Sequence, residues 1–403
     1  MIRWAGLALI LLLAACSGGP PDLNAPEDRL PVPADYPQAF RTQGRQIIDQ
    51  AGRPRILRGV AVPEALWLAQ RQDDQIGYFD RRLFRAAAEW RADIMRISIL
   101  PALYRTHGPA ETMRVLEWSV AYARRYGIYL IICFHSIGSP PDETYKSLRD
   151  WRYGELYETS QAEILDFWQR VARRFRDERA VAFYELINEP VRQNGPQQWD
   201  YQTTVEDWTG LRDWAERLAD QIRAIDPNKP LILGGLEFGY NLRHAVAHPV
   251  RRPNIVYASH PYAGSDWNLS WEEAFLAPAR SIPVLATEFG WGAGGHAEAS
   301  HRGPGRYRDD IFRAFDQAGI GWTAWSFSHS FPPSLLAGPR GFQPSDDYGA
   351  VVRAALLARS GRPVAAGPGA PQAAPAAMSE AGLPPAVSSG PPLYRPQSLA
   401  ARD

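Results

Sequence analysis

Eight short runs of strand-forming residues recur along this chain with amphipathic helical stretches between them, and that alternation constrains the fold more than any other feature. The runs are Ile56–Val62, Ile94–Ile99, Ile128–His135, Val181–Asn188, Leu231–Leu236, Ile255–His260, Val284–Glu288 and Gly321–Phe327. Between them, apolar residues return with the helical period over Leu83–Trp90, Met113–Tyr126, Ala162–Phe175, Val205–Ile225 and Tyr307–Ala318, and a last helix is expected over Ala350–Ala358. Gly127, Gly319 and Asp226-Pro227 stand where helices should stop. A strand, a helix and a further strand bring the chain back parallel with a right-handed crossover. Eight such units predict an α/β fold of the closed (β/α)8 TIM barrel type in a single domain, rather than an open doubly wound sheet. No Gly-x-Gly-x-x-Gly follows a strand, which counts against a dinucleotide fold. Gln46–Asp49 and Arg53–Ile56, joined through Gln50-Ala51-Gly52, predict an N-terminal β-hairpin at the bottom of the barrel.

The two ends of the chain are of different composition. Arg3 precedes an unbroken apolar run from Leu7 to Leu13, followed by Ala14-Ala15-Cys16. The apolar stretch from Trp4 to Cys16 is shorter than the roughly 20 residues a bilayer span needs, and it has the build of an export signal. Leu13-Ala14-Ala15-Cys16 resembles a bacterial lipobox, which implies a signal peptide over residues 1–15 and a lipid on Cys16. The alternative is an ordinary secretory signal with an incidental Cys. Ser17 and Gly18 after the Cys resemble outer-membrane sorting, so an exported protein anchored in the lipid bilayer and facing the periplasm is expected. Residues 16–37 are expected to be a tether, residues 38–360 the folded domain, and residues 361–403, mostly Pro, Ala, Gly and Ser, a disordered tail that cannot bury a core. Cys133, the other cysteine, lies in an apolar run and reads as a small buried hydrophobe.

Lys+Arg and Asp+Glu number 44 each, a balance that argues against nucleic acid as a partner and suits a neutral ligand such as a sugar. The 14 Trp offer flat apolar faces for sugar rings, although most of them are expected to fill the core. His244 and His248 have the spacing of helical metal ligands but lack the Glu of His-Glu-x-x-His, and there is no Gly-x-Ser-x-Gly elbow or phosphate-binding Gly-x-x-x-x-Gly-Lys. Neither a metal nor a cofactor is therefore expected.

In a (β/α)8 barrel the active site lies at the C-terminal ends of the strands. Arg96 is near the end of the second predicted run, His135 ends the third, and Asn188-Glu189-Pro190 follows the fourth. His260 and Tyr262 belong to the sixth, Glu288 to the seventh and Trp325 to the eighth. Glu189 and Glu288 would thus face each other across one mouth. Breaking a glycosidic bond takes two carboxyl groups, one to protonate the leaving oxygen and one to attack or to activate water. Glu185, four residues before Glu189 on the same strand face, is the nearest decoy. At about 3.3 Å per residue it would lie roughly 13 Å deeper, as a buried carboxylate paired with Arg96.

Arg96, His135, Asn188-Glu189, His260, Tyr262, Glu288 and Trp325 resemble, in order and strand, the set of glycoside hydrolase family 5. Tyr184–Pro190 resembles its acid/base segment and Ala286–Gly290 its nucleophile segment, and the resemblance covers about residues 40–360. It implies Glu189 as acid/base and Glu288 as nucleophile, the latter held ionised by Arg96 and oriented by Tyr262. It also implies Asn188 on the sugar 2-OH, His135 and His260 lining the site, and Trp325 under the sugar next to the broken bond. Glu189 is expected to have no such partner and to stay protonated. Two positions depart from the pattern: Ala61 stands where many members have Asn, and Cys133 where some have an acid.

These residues predict a retaining hydrolase acting on a β-linked poly- or oligosaccharide, cellulose-like, mannan-like or exopolysaccharide. A transglycosidase on the same site is a second reading. A non-catalytic glycan-binding envelope lipoprotein is a third, against which both Glu speak. Trp67, Trp151, Trp199, Trp267 and Trp291 are the candidates for further sugar contacts.

Overall fold

The computed structural model describes residues 30–195, 198–265, 268–292 and 307–359; Cys16, Trp267, the signal segment, most of the tether and the tail lie outside them. Eight parallel strands close a barrel. They are β1 Arg58–Val62, β2 Ile94–Ile99, β3 Tyr129–Phe134, β4 Val181–Glu185, β5 Leu231–Gly234, β6 Ile255–Ala258, β7 Val284–Ala286 and β8 Gly321–Trp325. Neighbours in sequence are neighbours in space, and β8 returns to β1 through pairs such as Thr323 with Gly59. All six residues of both β2 and β3 are buried. One face of each meets helices and the other the barrel interior, so β3 reads as a continuous apolar run and β2 as one broken only by Arg96 and Ser98.

Each predicted run supplies its strand, but most stop short of the predicted C-terminal end. His135, Asn188, His260 and Glu288 all lie just beyond the last paired residue. The chain leaves the ladder where polar side chains begin, and those side chains line the mouth.

The helices are α1 Ala65–Arg71, α2 Arg81–Glu89, α3 Pro101–Tyr126, α4 Gln161–Phe175, α5 Val205–Arg223, α6 Tyr307–Ala318 and α7 Tyr348–Arg359. In α4 the Ser160 hydroxyl accepts from the Glu163 amide at 3.2 Å, capping the first turn. Its Ile164, Phe167, Trp168, Val171 and Phe175 are buried, a spacing that makes one apolar stripe. Thr204 and Asp207 form a capping box on α5. Helix α3 starts earlier than its periodicity predicts. It runs through a kink at Gly108, φ 81°, just before Pro109, which has no amide to donate.

Helix α1 was not foreseen, and other elements also differ from expectation. The N-terminal hairpin pairs Arg41–Gln43 with Gln46–Ile48 around Gly44, and the predicted partner segment joins the same edge through the bridge of Ile48 with Pro54 and backbone bonds from Arg55 to Ile47 at 2.9 Å and from Asp49 to Arg53 at 3.0 Å. Arg41, Thr42 and Gln43 show no apolar alternation, so the first strand left no signature. The hairpin does cover the barrel bottom, where Phe40 lies 5.9 Å from Phe183 in a stack and 4.8 Å from Tyr129. The segment expected to be tether is already packed there, with the Tyr36 hydroxyl on the Ile128 carbonyl at 2.8 Å. Above β3, Ile137–Ser139 pairs with Thr144–Tyr145 and with Glu189–Pro190 in a small separate sheet.

Candidate active site

The small sheet fixes the backbone of the first carboxyl residue. Glu189 pairs with Ile137, its amide donates to the Ser136 carbonyl at 3.2 Å, and the Asn188 amide donates to Phe134 at 3.1 Å. The second carboxyl residue, Glu288, follows β7 and precedes Phe289, which is buried against Phe312, Phe315 and Trp322. A Cβ on Gly290 would come within 2.6 Å of the Pro333 ring and 3.0 Å of the Tyr348 hydroxyl, so any larger residue here must displace its neighbours.

Arg96, in the middle of β2 and fully buried, organises the mouth. One Nη donates to Glu288 at 2.6 Å, and the other to Asn188 Oδ1 at 2.6 Å and Cys133 Sγ at 3.0 Å. Its Nε is bonded to Glu185. The Tyr262 hydroxyl donates to the other Glu288 oxygen at 2.7 Å, so both oxygens of that carboxylate are held. Asn188 turns its oxygen to the guanidinium, which leaves its amide N–H groups to donate elsewhere. His260 lies with Nδ1 3.2 Å from Glu189 and Nε2 2.9 Å from the Thr287 hydroxyl, which donates to Glu185 at 2.7 Å. The His135 ring is stacked on Trp325, centroids 5.5 Å apart, and its buried Nδ1 has no partner among the described residues.

Glu189, His260 and Glu288 bring one donor atom each to within 4.8 Å of one another. Such a trio has the spacing of a cation site. Both oxygens of Glu288 are already engaged by a guanidinium and a phenol, however, an arrangement suited to a reactive carboxylate.

Burial penalises every charge here, and partners decide the outcome. It works against the Arg96 cation, yet Cys133, Glu185 and Glu288 hold that cation well above its ordinary range. Burial also opposes ionisation of Glu185, but Arg96 and His260 bring its carboxyl down to about 2. For His260, Glu288, Glu185 and Glu189 overcome burial and raise the imidazole to about 9. His135 goes the other way, pushed well down by burial and by Arg96. Burial pushes Glu288 above the ordinary carboxylate value; Arg96 and His260 oppose this, and Glu189 adds to it. Arg96 and Tyr262, the two partners expected to favour the ionised carboxylate, thus act against its burial.

All eight residues singled out in the sequence, Arg96, His135, Asn188, Glu189, His260, Tyr262, Glu288 and Trp325, surround one mouth. Glu189 has the partner that sequence reasoning denied it, His260. Thr287 was missed; its signal was its place between β7 and Glu288. Glu185 is paired with Arg96 as expected but is not remote, since its carboxylate lies 3.9 Å from the imidazole that touches Glu189. Of the other tryptophans, Trp291 is buried against Tyr348 and belongs to the core. Trp67 is half-buried beside Tyr153 and Phe331, Trp199 packs on Phe238, and Trp151 is exposed. His244 accepts from Arg243 at 3.0 Å, in a turn that the His248 amide closes by donating to the His244 carbonyl at 3.0 Å.

Two carboxyls across the mouth of an eight-stranded parallel barrel is the arrangement of the barrel glycoside hydrolases. The profile of Cellulase (glycosyl hydrolase family 5) matches residues 49–330, and the chain belongs to that family. It is 28% identical over 290 residues to Endoglucanase CelA of Streptomyces lividans, covering 69% of this chain and 55% of that protein. Endoglucanase E-5 of Thermobifida fusca is 28% identical over 309 residues, 73% of this chain and 57% of the relative. The chain thus spans little more than half the length of these curated relatives. Among solved structures, the β-glucanase SdGluc5_26A of Saccharophagus degradans superposes with a TM-score of 0.71 at 27% identity, covering 82% of this chain and 95% of that one. That enzyme has also been solved in complex with cellotetraose.

Proposed function

We propose that this protein is a retaining glycosidase that hydrolyses a β-linked glucan through a covalent glycosyl-enzyme. Glu288 attacks the anomeric carbon while Glu189 protonates the leaving oxygen; Glu189 then takes a proton from the water that releases the sugar. The observation that carries this reading is the approach of the Glu189 and Glu288 oxygens to within 4.8 Å. Retaining enzymes hold their carboxyls about 5–5.5 Å apart, whereas inverting ones leave about 6.5–9.5 Å for a water. Tyr262 and Arg96 aim the nucleophile. Asn188, with its amide N–H groups turned away from Arg96, is placed to meet the sugar 2-OH. His135, neutral and stacked on one face of Trp325, steadies that indole, and Trp325 offers its other face to the ring. Relatives named as endoglucanases and a structural neighbour named as a β-glucanase support glucan as the substrate class.

The test is the purified protein on a panel of β-glucans and β-mannan, with release of reducing ends as readout and NMR of the first anomer formed. Reducing ends from β-glucan with the β-anomer first are expected. The α-anomer first would overturn retention, and activity confined to mannan would overturn the substrate class.

The apolar run ending at Cys16 supports export and a lipid anchor at that residue, with the barrel held at the outer membrane and facing the periplasm. One acyl chain binds a bilayer only marginally, so several are required. Cys16→Ser should move the protein to the soluble fraction; unchanged fractionation would overturn the anchor.

A further inference from the structure

Thr287 and Glu185 take no part in the chemistry just described, yet they are built into the base of the site. Both are buried, at 1% and 0% exposure. Their contacts form one chain: Glu185 accepts from Thr287, Thr287 meets His260 Nε2, and His260 Nδ1 meets Glu189. The same Glu185 carboxylate is bonded to Arg96, which in turn holds Glu288. A single buried carboxylate is therefore linked to both carboxyls at the mouth.

Counting hydrogens along this chain fixes where they sit. Thr287 has one hydroxyl hydrogen and, 2.7 Å from a carboxylate, gives it to Glu185. Its oxygen is then the acceptor for His260 Nε2 at 2.9 Å, so Nε2 carries a proton. The tautomer is thus set by the partner on the far side of the ring. At Nδ1 the 3.2 Å contact to Glu189 needs one proton, held either by the carboxyl or by the ring. Without the Thr287 acceptor nothing fixes a proton at Nε2, and once the ring has lost one of its two protons the other is free to move to Nδ1. Glu189 would then face a donor and have no proton of its own to give.

We infer that Glu185 and Thr287 are positioning residues for the acid/base step: they lock a proton on His260 Nε2 and so keep one proton in the Glu189–His260 contact of the free enzyme. This rests on Glu189 as the proton donor. In the first step that proton passes to the glycosidic oxygen as the C–O bond breaks and Glu288 bonds to the anomeric carbon. In the second, the attacking water returns a proton to Glu189 as the Glu288–sugar bond breaks. The hydrogens on Nε2 and Thr287 stay in place throughout. The charged and titratable groups around His260 are Glu185, Glu189, Glu288 and His135. With Glu185 and Glu288 ionised, Arg96 charged and the Glu189–His260 pair neutral as a whole, the cluster carries one net negative charge. That sign favours an oxocarbenium-like transition state.

The test compares Thr287→Val and Thr287→Ser with the wild type, using kcat/KM for an unactivated oligosaccharide and for an aryl glycoside whose leaving group needs no proton. For Thr287→Val the oligosaccharide rate should fall about tenfold or more, a fraction of the about 10²–10⁴-fold worth of general acid catalysis. The aryl glycoside rate should stay within about twofold, and the basic limb of the oligosaccharide pH profile should move to lower pH. Thr287→Ser, which restores the hydroxyl, should behave as wild type. Equal losses on both substrates, an unmoved basic limb, or a serine variant no better than valine would overturn the inference. Nitrogen NMR of labelled histidine in the wild type, assigned with His260→Gln, reads the same point without the valine variant. A proton on Nε2 is expected, and a bare Nε2 overturns the relay. Glu189→Ala is run in parallel: if the aryl glycoside does not spare it, the donor assignment itself fails, a result distinct from failure of the relay alone.

Discussion

At the lower end of the barrel, Phe40 and Ile47 from the hairpin close over Ile94, Tyr129, Phe183 and Val256, all buried and all apolar or aromatic. At the upper end the same strands lead into Arg96, Glu185, Glu288 and His260, equally buried and ionisable. Burial below removes apolar surface from water, at about 25 cal/mol per Å². Burial above removes charges from water, and only mutual pairing offsets that cost. Of the two ends, the lower is therefore the one whose burial adds stability directly. The upper end holds groups displaced from their ordinary ionisation, as proton transfer and nucleophilic attack require.

Removing a carboxylate from the upper end should separate the two ends most sharply. Glu288→Ala should abolish turnover on every substrate, because no nucleophile remains, while the melting temperature stays close to that of the wild type. Arg96 keeps Glu185 as its counter-ion in that variant. Glu189→Ala should lose about 10²–10⁴-fold on an unactivated glycan and much less on an activated aryl glycoside. Added azide should then rescue release of the intermediate. If Glu288→Ala is the variant spared by the activated substrate, the two roles are reversed. If it unfolds, the upper end contributes more to stability than this comparison allows.

The converse change is at the lower end. Phe183 is fully buried and stacked on Phe40 at an interplanar angle of 9°. Phe183→Ala should lower stability by about 3–5 kcal/mol, the range for a large aromatic removed from a core. The kcat/KM of the folded protein should hold near the wild-type value. Chemical denaturation followed by circular dichroism, with activity measured below the transition, checks both. A large loss of kcat/KM in folded Phe183→Ala would show that the two ends are coupled through the strands.

The two ends were also unequally legible in the sequence. All eight strands stood out because burial on both faces makes their runs mostly apolar, and residues such as His135 and Glu288 stood out because they end those runs. The lower closure was legible only in outline, since Arg41-Thr42-Gln43 has no apolar alternation to mark it as a strand. The small sheet above β3 and helix α1 escaped for a related reason, being too short to show a period. Glu185 was assigned its Arg96 partner, but its link to Glu189 through Thr287 and His260 was not foreseen. The His260–Glu189 contact was not readable, because strands four and six are not neighbours and their side chains meet only across the mouth.

A pH experiment sharpens the contrast through a smaller effect. The His260 imidazole is raised to about 9 by Glu288, Glu185 and Glu189 against burial. A histidine raised above its unfolded value of about 6.5 contributes stability that is full below that value and lost as pH rises through the folded value. The stability difference between wild type and His260→Gln should therefore shrink between about pH 6.5 and 9, by at most about 3 kcal/mol. The corresponding difference for Phe183→Ala should not change over that range. Parallel pH dependence in both pairs would remove His260 as its source.

The smallest effect is expected at Cys133, the one upper-end residue whose polar group is weak. Its thiol sulfur accepts from Arg96 at 3.0 Å and is fully buried. Burial pushes the thiol well above its ordinary value; Arg96 opposes this, while Glu185 and Glu288 add to it. Since the thiolate is the reactive form, the native protein should leave Cys133 unlabelled by a thiol reagent, with labelling appearing only on unfolding. Cys133→Ala removes one weak acceptor from a guanidinium that keeps three others, Glu185, Glu288 and Asn188. The expected loss in kcat/KM is about threefold or less, the equivalent of a hydrogen bond worth about 0.5 kcal/mol. A tenfold loss would mean that the sulfur helps aim Arg96 at the nucleophile, and labelling of the native protein would mean that the upper end opens to solvent far more than its packing implies.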